Sequence, residues 1–190
     1  YNTNAEWNFK TESDDKLYFI LYDESVSSTQ EYACTTATLT AHQDKWIHVT
    51  ATYNGVGGTS ANAGIKLYVN GVAEAMTLGD AGTYVAMENL AASIHIGRYD
   101  SQYANGSIRD VRIYGQELSA DQVSSLYSGS YNVNPLLGYK LDEGTGNASG
   151  FGTANAGGAS DATVNGADWV NGTLDLDSSL TIAANGTLSA

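Results

Sequence analysis

Proline, cysteine and charge are all scarce in this chain. Its 190 residues include one proline and one cysteine, and only 15% are Asp, Glu, Lys or Arg. With Cys34 alone, no intrachain disulfide can form, so stability rests on core burial, with or without a bound metal. So little charge excludes a coiled coil, which needs far more Glu, Lys and Leu. The glycines follow no three-residue period, which excludes collagen. No apolar run reaches the length of a membrane-crossing helix. Cations are the scarcest class, with 8 Lys and Arg against 21 Asp and Glu, a net charge of −13. Such a chain repels phosphate backbones and anionic membrane surfaces, so we expect no nucleic-acid partner and no membrane insertion. The same acidity suits a soluble surface and divalent-cation sites.

The abundant residues are apolar (42%), Gly (21) and Tyr (13). Plentiful aromatic and β-branched residues argue against disorder. The length allows one domain with a full-sized core, or two very small ones. The chain opens at Tyr1 without an initiator Met or a leader-like segment, so it reads as a piece of a longer protein. A cysteine-poor, acidic chain rich in Tyr, Asn, Gly and Thr fits an extracellular or cell-surface location. The N-x-S/T sequons at Asn105, Asn147, Asn171 and Asn185 are expected by chance in such a composition.

Period-two patterns dominate. Leu17 to Tyr22 forms a continuous apolar strand ended by Asp23-Glu24-Ser25. Residues 46–53 place Ile47, Val49, Ala51 and Tyr53 on one face. Ile65 to Val69 runs into Asn70-Gly71 and returns through Val72 to Met76, a hairpin with a type I′ turn. Further strands are expected at 94–96, 108–114, 136–141, 169–170, 174–176 and 180–182, and a long loop over 144–167. One helix is expected at 119–127. Ser119 and Gln122 supply a capping box, and Leu118 and Val123 a hydrophobic staple. Ser128 to Pro135 reads as a linker. The whole predicts an all-β, antiparallel two-sheet sandwich with one short helix near 119–127.

These segments resemble the laminin-G-like branch of the concanavalin A-like jelly rolls, close to the pentraxin type. The run W-I-H-V-T-A-T-Y-N-G at 46–55 matches the family's central motif. It is followed in order by L-Y-V-N-G at 67–71, Ile94 to Arg98, Gly106 to Tyr114, and Leu118-Ser119 through Leu126-Tyr127. The resemblance also covers the tail, in displaced order. Leu141 to Gly146 and Gly166 to Leu176 resemble segments that open the family's domain. Residues 1–131 thus look like its C-terminal two-thirds, and 132–190 like its N-terminal third. The chain is either a circularly permuted sandwich or a cut from a tandem array. We expect 1–190 to form a single sandwich, the tail supplying strands in cis or by exchange between chains, because a sandwich lacking a third of its strands would expose apolar edges.

The resemblance implies a lectin or a glycosidase, and the residues are weighed accordingly. Retaining glycosidases need two carboxylates about 5–5.5 Å apart. No alternating acidic motif supplies them, so no catalytic residue is assigned and the chain is expected not to be an enzyme. No Cys/His cluster suggests zinc, and no phosphate-binding loop is present. Trp46 and Trp169 fall in fold motifs and are expected in the core. Many relatives hold a structural calcium, for which Asn147 and Asp110 are the candidate ligands here. The alternative for Asp110 is an ion pair with an Arg. For sugar binding, aromatic faces and planar polar groups are needed. Arg98, Tyr99, Asp100, Tyr103 and Asn105, in the loop between two expected strands, form the candidate cluster. The expected function is a non-catalytic carbohydrate-binding module of a larger extracellular protein, its partner a glycan or an extracellular protein. The alternatives are a glycoside hydrolase or lyase of the same fold, and a structural adhesion repeat.

Overall fold

The computed structural model describes residues 6–26, 29–88, 90, 93–131, 133–145, 147–148, 150–151, 162–165, 168–170, 173–176 and 179–182. The chain divides into two compact units. One comprises Thr3–Leu90 with Gln116–Asn132, the other Tyr1–Asn2 with Ala91–Gly115 and Val133–Ala190.

The first unit holds strands β1 (Trp7–Thr11), β2 (Leu17–Asp23), β3 (Thr29–Thr35), β4 (Val49–Tyr53), β5 (Ile65–Val69), β6 (Val72–Ala73) and β7 (Met76–Ala81), and helix α1 (Ala120–Tyr127). Two antiparallel sheets form, in the orders β1-β2-β3-β7 and β4-β5-β6. Leu21 and Ala33 of the first sheet share one core with Ile65 and Leu67 of the second, together with Ala61 and Tyr84. Trp7, Phe9, Phe19, Ala51 and Tyr53 pack around it. Full burial of each such Leu or Ile side chain contributes about 1.5–3 kcal/mol.

Local chemistry sets the corners. Asn70 and Gly71 take φ of 50° and 78°, as a type I′ turn requires, and join β5 to β6. The Asn70 side chain also accepts from the His48 backbone N–H at 2.9 Å. Helix α1 begins at a complete capping box. The Gln122 N–H donates to Ser119 Oγ, and the Ser119 N–H donates to Gln122 Oε1 at 2.8 Å. Leu118 and Val123, the staple pair, are both buried. At the far end of the helix, the Tyr127 ring lies 5.8 Å from that of His48.

The second unit is built of short strands. They are β8 (Ile94–Ile96), β9 (Arg98–Tyr99), β10 (Gln102–Tyr103), β11 (Gly106–Ile108), β12 (Val111–Ile113), β13 (Leu137–Tyr139), β14 (Gly150–Phe151), β15 (Ala162–Asn165), β16 (Asp168–Val170), β17 (Thr173–Leu176) and β18 (Ser179–Ile182). Strands from after residue 132 pair with strands from before 114. β17 joins β11, β13 joins β12, and β18 joins β8, all antiparallel. Ile96, Leu137, Tyr139, Leu141 and Ala148 form this unit's core.

Several sequence expectations need correction. The strand expected at 108–114 is broken, because Asp110 turns the chain with φ 53° between β11 and β12. The strand expected at 136–141 keeps three residues, and Leu141 beyond it has φ 58°. The loop expected over 144–167 contains β14 and β15, whose two- and four-residue lengths carry no readable period. Strands β1, β3 and β7 went unread, because polar residues break up their apolar pattern. Trp46 is 50% exposed rather than in the core: β4 starts only at Val49, so Trp46 precedes the paired strand. The Trp169 side chain, and residues 166–167 and 171–172 of the tail motif, lie outside the described residues.

Candidate functional site

The pleat of the four-stranded sheet sorts its residues onto two faces. One carries Trp7, Phe9, Phe19, Leu21, Glu31 and Ala33 toward the core. The other is set by three rows of directly opposed residues. They run Lys10–Tyr18–Cys34–Thr77, then Asn8–Ile20–Tyr32–Gly79, then Tyr22–Gln30–Ala81. This second face combines the half-buried Tyr18 and Tyr32, two amides, a lysine and a threonine with the buried Ile20, Tyr22 and Cys34. None of the residues in its rows is an Asp or Glu.

Two half-buried tyrosines form its centre. The rings of Tyr18 and Tyr32 lie 6.0 Å apart, tilted by 37°. Gly79, directly across from Tyr32, lets that ring lie down on the sheet, since a Cβ there would overlap it. Tyr18 Oη donates to Asp14 Oδ2 at 2.9 Å from the β1–β2 turn. Burial, this bond to a carboxylate and the neighbouring Cys34 push the Tyr18 hydroxyl up, so it keeps its proton. Burial opposes the charge on Asp14, but Tyr18, the Lys16 N–H and the Lys16 charge together lower its carboxyl. Asn8 Nδ2 donates to Tyr22 Oη at 3.1 Å, and Lys10 pairs with Glu12 at 2.7 Å. The result is a shallow aromatic surface with fixed rings, edged by Gln30, Asn8 and Thr77.

The buried carboxylates, Glu31 and Asp23, belong elsewhere. Glu31 points to the core side, directly opposite Asp80 on β7. It is fully buried, with Oε2 accepting from the Asn62 N–H at 3.2 Å and Oε1 without a partner. Burial raises its pKa, the Asn62 bond works against that, and the Asp80 charge adds to it. Asp23, also buried, fastens two loops. Its Oδ1 accepts from the Ser25 N–H and hydroxyl, and its Oδ2 from the Val85 and Ala86 N–H groups. Burial opposes its charge, but these donors outweigh it and lower its pKa.

The cluster read from the sequence lies in the other unit. Strands β9 and β10 form a two-residue hairpin turned by Asp100, at φ 54°. Arg98 and Tyr103 are directly opposed, and the guanidinium carbon sits 5.9 Å from the ring centroid. Arg98 Nε donates to the Asp100 carbonyl at 2.6 Å. Tyr103 is half exposed, and Asn105 is exposed beyond the strand. Tyr99 opposes Gln102, so strand alternation places it on the face away from Tyr103. Arg98, Asp100 and Tyr103 are therefore brought together, whereas the two tyrosines do not share one platform.

Of the candidate calcium ligands, Asp110 has both carboxylate oxygens taken by Arg112, at 2.6 and 2.9 Å. Asn147 is exposed beside the buried Ala148. Among the described residues, no group of three or more His, Cys, Asp or Glu is placed to hold a metal ion.

With this geometry in view, comparison with known families is decisive for the fold. Residues 1–124 match the Laminin_G_3 family model, described as the concanavalin A-like lectin/glucanase superfamily. The chain belongs to this superfamily. Neither the curated proteins nor the solved structures compared with it gave a match. Membership fits a carbohydrate-binding or related role, and the superfamily includes both lectins and glycosidases. The tyrosine face escaped the sequence reading, although its signal is visible: tyrosines at 18 and 22 flank Ile20 at strand spacing, with Tyr32 in the next β-forming run.

Proposed function

We propose that this chain is a non-catalytic carbohydrate-binding module of a larger extracellular or cell-surface protein, and that it holds its glycan on the Tyr18–Tyr32 face. The single observation behind this reading is the composition of that face. Fixed aromatic rings offer stacking surface for the apolar faces of sugars, and the amides and hydroxyls around them suit sugar hydroxyls. No carboxylate occupies its rows, and the two at its rim, Asp14 and Glu12, are engaged by Tyr18 and Lys10, which favours binding over the acid–base or nucleophile pair of glycoside hydrolysis. The buried Glu31 and the exposed Asp80, which do oppose each other, lie on the other side of the sheet. Recognition in this scheme needs no calcium. In the same reading the partner is the glycan itself.

The test is affinity electrophoresis of the intact chain through gels containing soluble polysaccharides. Tyr32→Ala should abolish the retardation, because it removes one of the two rings on which the apolar face of the sugar lies. Gly79→Ala, which lifts the ring while keeping it, should weaken binding in the same direction. EDTA should leave retardation unchanged, and no reducing ends should be released. Retardation untouched by both variants would remove the proposal.

A further inference from the structure

The charges around the face go further and select among glycans. Resting on the proposal above, the geometry points to an uncharged polysaccharide as the ligand class, with uronate-bearing and sulfated glycans turned away. The argument starts from how proteins bind sugar carboxylates and sulfates. They use arginine forks or unpaired lysines, which supply charge-assisted hydrogen bonds. The unit that carries the tyrosine face contains no arginine at all, because Arg98, Arg109 and Arg112 all fall in the other unit. It has four lysines against thirteen acids.

Each of those lysines is already engaged. Lys10, the one cation in the rows of the face, is neutralised by Glu12 at 2.7 Å. Lys16 faces Asp14 at 3.7 Å, Lys66 faces Glu117 at 3.5 Å, and Lys45 donates to the Ala41 carbonyl at 3.0 Å. Two acids sit at the rim. Asp14 holds the Tyr18 hydroxyl, and Glu12 holds Lys10. A bound uronate or sulfate would thus meet carboxylates at the rim and no uncommitted cation, in the field of a strongly acidic chain. A neutral sugar pays none of that repulsion. Its hydroxyls can use Gln30, Asn8 and Thr77, while its apolar face lies on the rings.

The experiment compares the intact chain in gels of neutral polysaccharides (laminarin, xyloglucan, mannan) and anionic ones (alginate, polygalacturonate, heparin), at low and high salt. Retardation by at least one neutral polymer is expected, nearly independent of salt and lost in Tyr32→Ala, with none by the anionic set. Wild-type binding to anionic polymers that falls with salt would overturn the selectivity while leaving the glycan-binding face standing. Binding to no polymer in either set would remove the face itself, and the selectivity with it.

Discussion

Glu31 makes the stability of this protein depend on pH in a direction opposite to ordinary carboxylates. Its side chain is fully buried, one oxygen has a backbone donor in Asn62, and the other has none. The ionised form leaves a charge half satisfied, with the Asp80 carboxylate directly across the ladder and the Tyr53 ring nearby. Its folded pKa is raised, first by burial and then by Asp80, against the Asn62 bond. The stabilisation is therefore fully present below the unfolded pKa and is lost as pH rises through the folded one. A buried polar group left unsatisfied costs about 1–3 kcal/mol. At ~2–4 °C per kcal/mol for a chain of this size, melting should drop by several degrees as pH rises above the ordinary carboxylate range. Glu31→Gln keeps the shape and the acceptor for Asn62, and puts an amide where the neutral acid has its hydroxyl. It should match the wild type at acidic pH and exceed it at alkaline pH. Asp80→Asn should move the wild-type decline to lower pH, because it removes the repulsion that raises Glu31. Thermal melts followed by circular dichroism across this range decide it. Parallel profiles for wild type and Glu31→Gln would refute the reasoning.

Three further outcomes are expected. Asp23→Asn replaces one of the two acceptor oxygens by an NH2 donor, so either the Ser25 pair or the Val85 and Ala86 N–H groups lose their acceptor, and it should lower stability by about 1–3 kcal/mol at neutral pH, measured by urea denaturation. Because the Asp23 pKa is lowered, its contribution is present above the unfolded value and disappears as pH falls through the folded one, so the loss on substitution should shrink in acid. Gly71→Ala places a Cβ at φ 78°, against the Tyr127 side chain, and should cost at least about 1–2 kcal/mol in the same assay. Ser119→Ala removes half of the capping box and should cost ~1 kcal/mol.

What could be read from the sequence follows the strength of local signals. The Asn70-Gly71 turn and the Ser119–Gln122 capping box were legible because short-range chemistry alone fixes them, and both stand in the structure. Strand β2 was legible because it is apolar on both faces. Other elements depend on partners distant in sequence. β15 is defined by its ladder with β18, and β13 by the register of Val111 with Tyr139. Four or fewer residues contain no period to read. At Asp110 and Leu141 the left-handed backbone cuts strands that continuous apolar patterns extend too far.

The candidate site shows the same division at a finer scale. The hairpin at 98–103 drew attention because its polar and aromatic residues are consecutive, but consecutive strand residues point to opposite sides, and Tyr99 and Tyr103 part company for that reason. The tyrosine face has the reverse property. Asn8, Tyr18, Tyr32 and Gly79 are scattered over more than seventy residues, and only the β1-β2-β3-β7 order assembles them. In β1 the outer-face Asn8 and Lys10 interrupt Trp7 and Phe9 at every second position, the alternation of a strand with one face in the core. In β3 the polar Thr29, Gln30 and Glu31 are consecutive, and in β7 Thr77 and Asp80 fall on opposite faces, so neither strand carries a period that could be read before its ladder is known. The site is legible only where those ladders bring Tyr18, Tyr32 and Gly79 side by side.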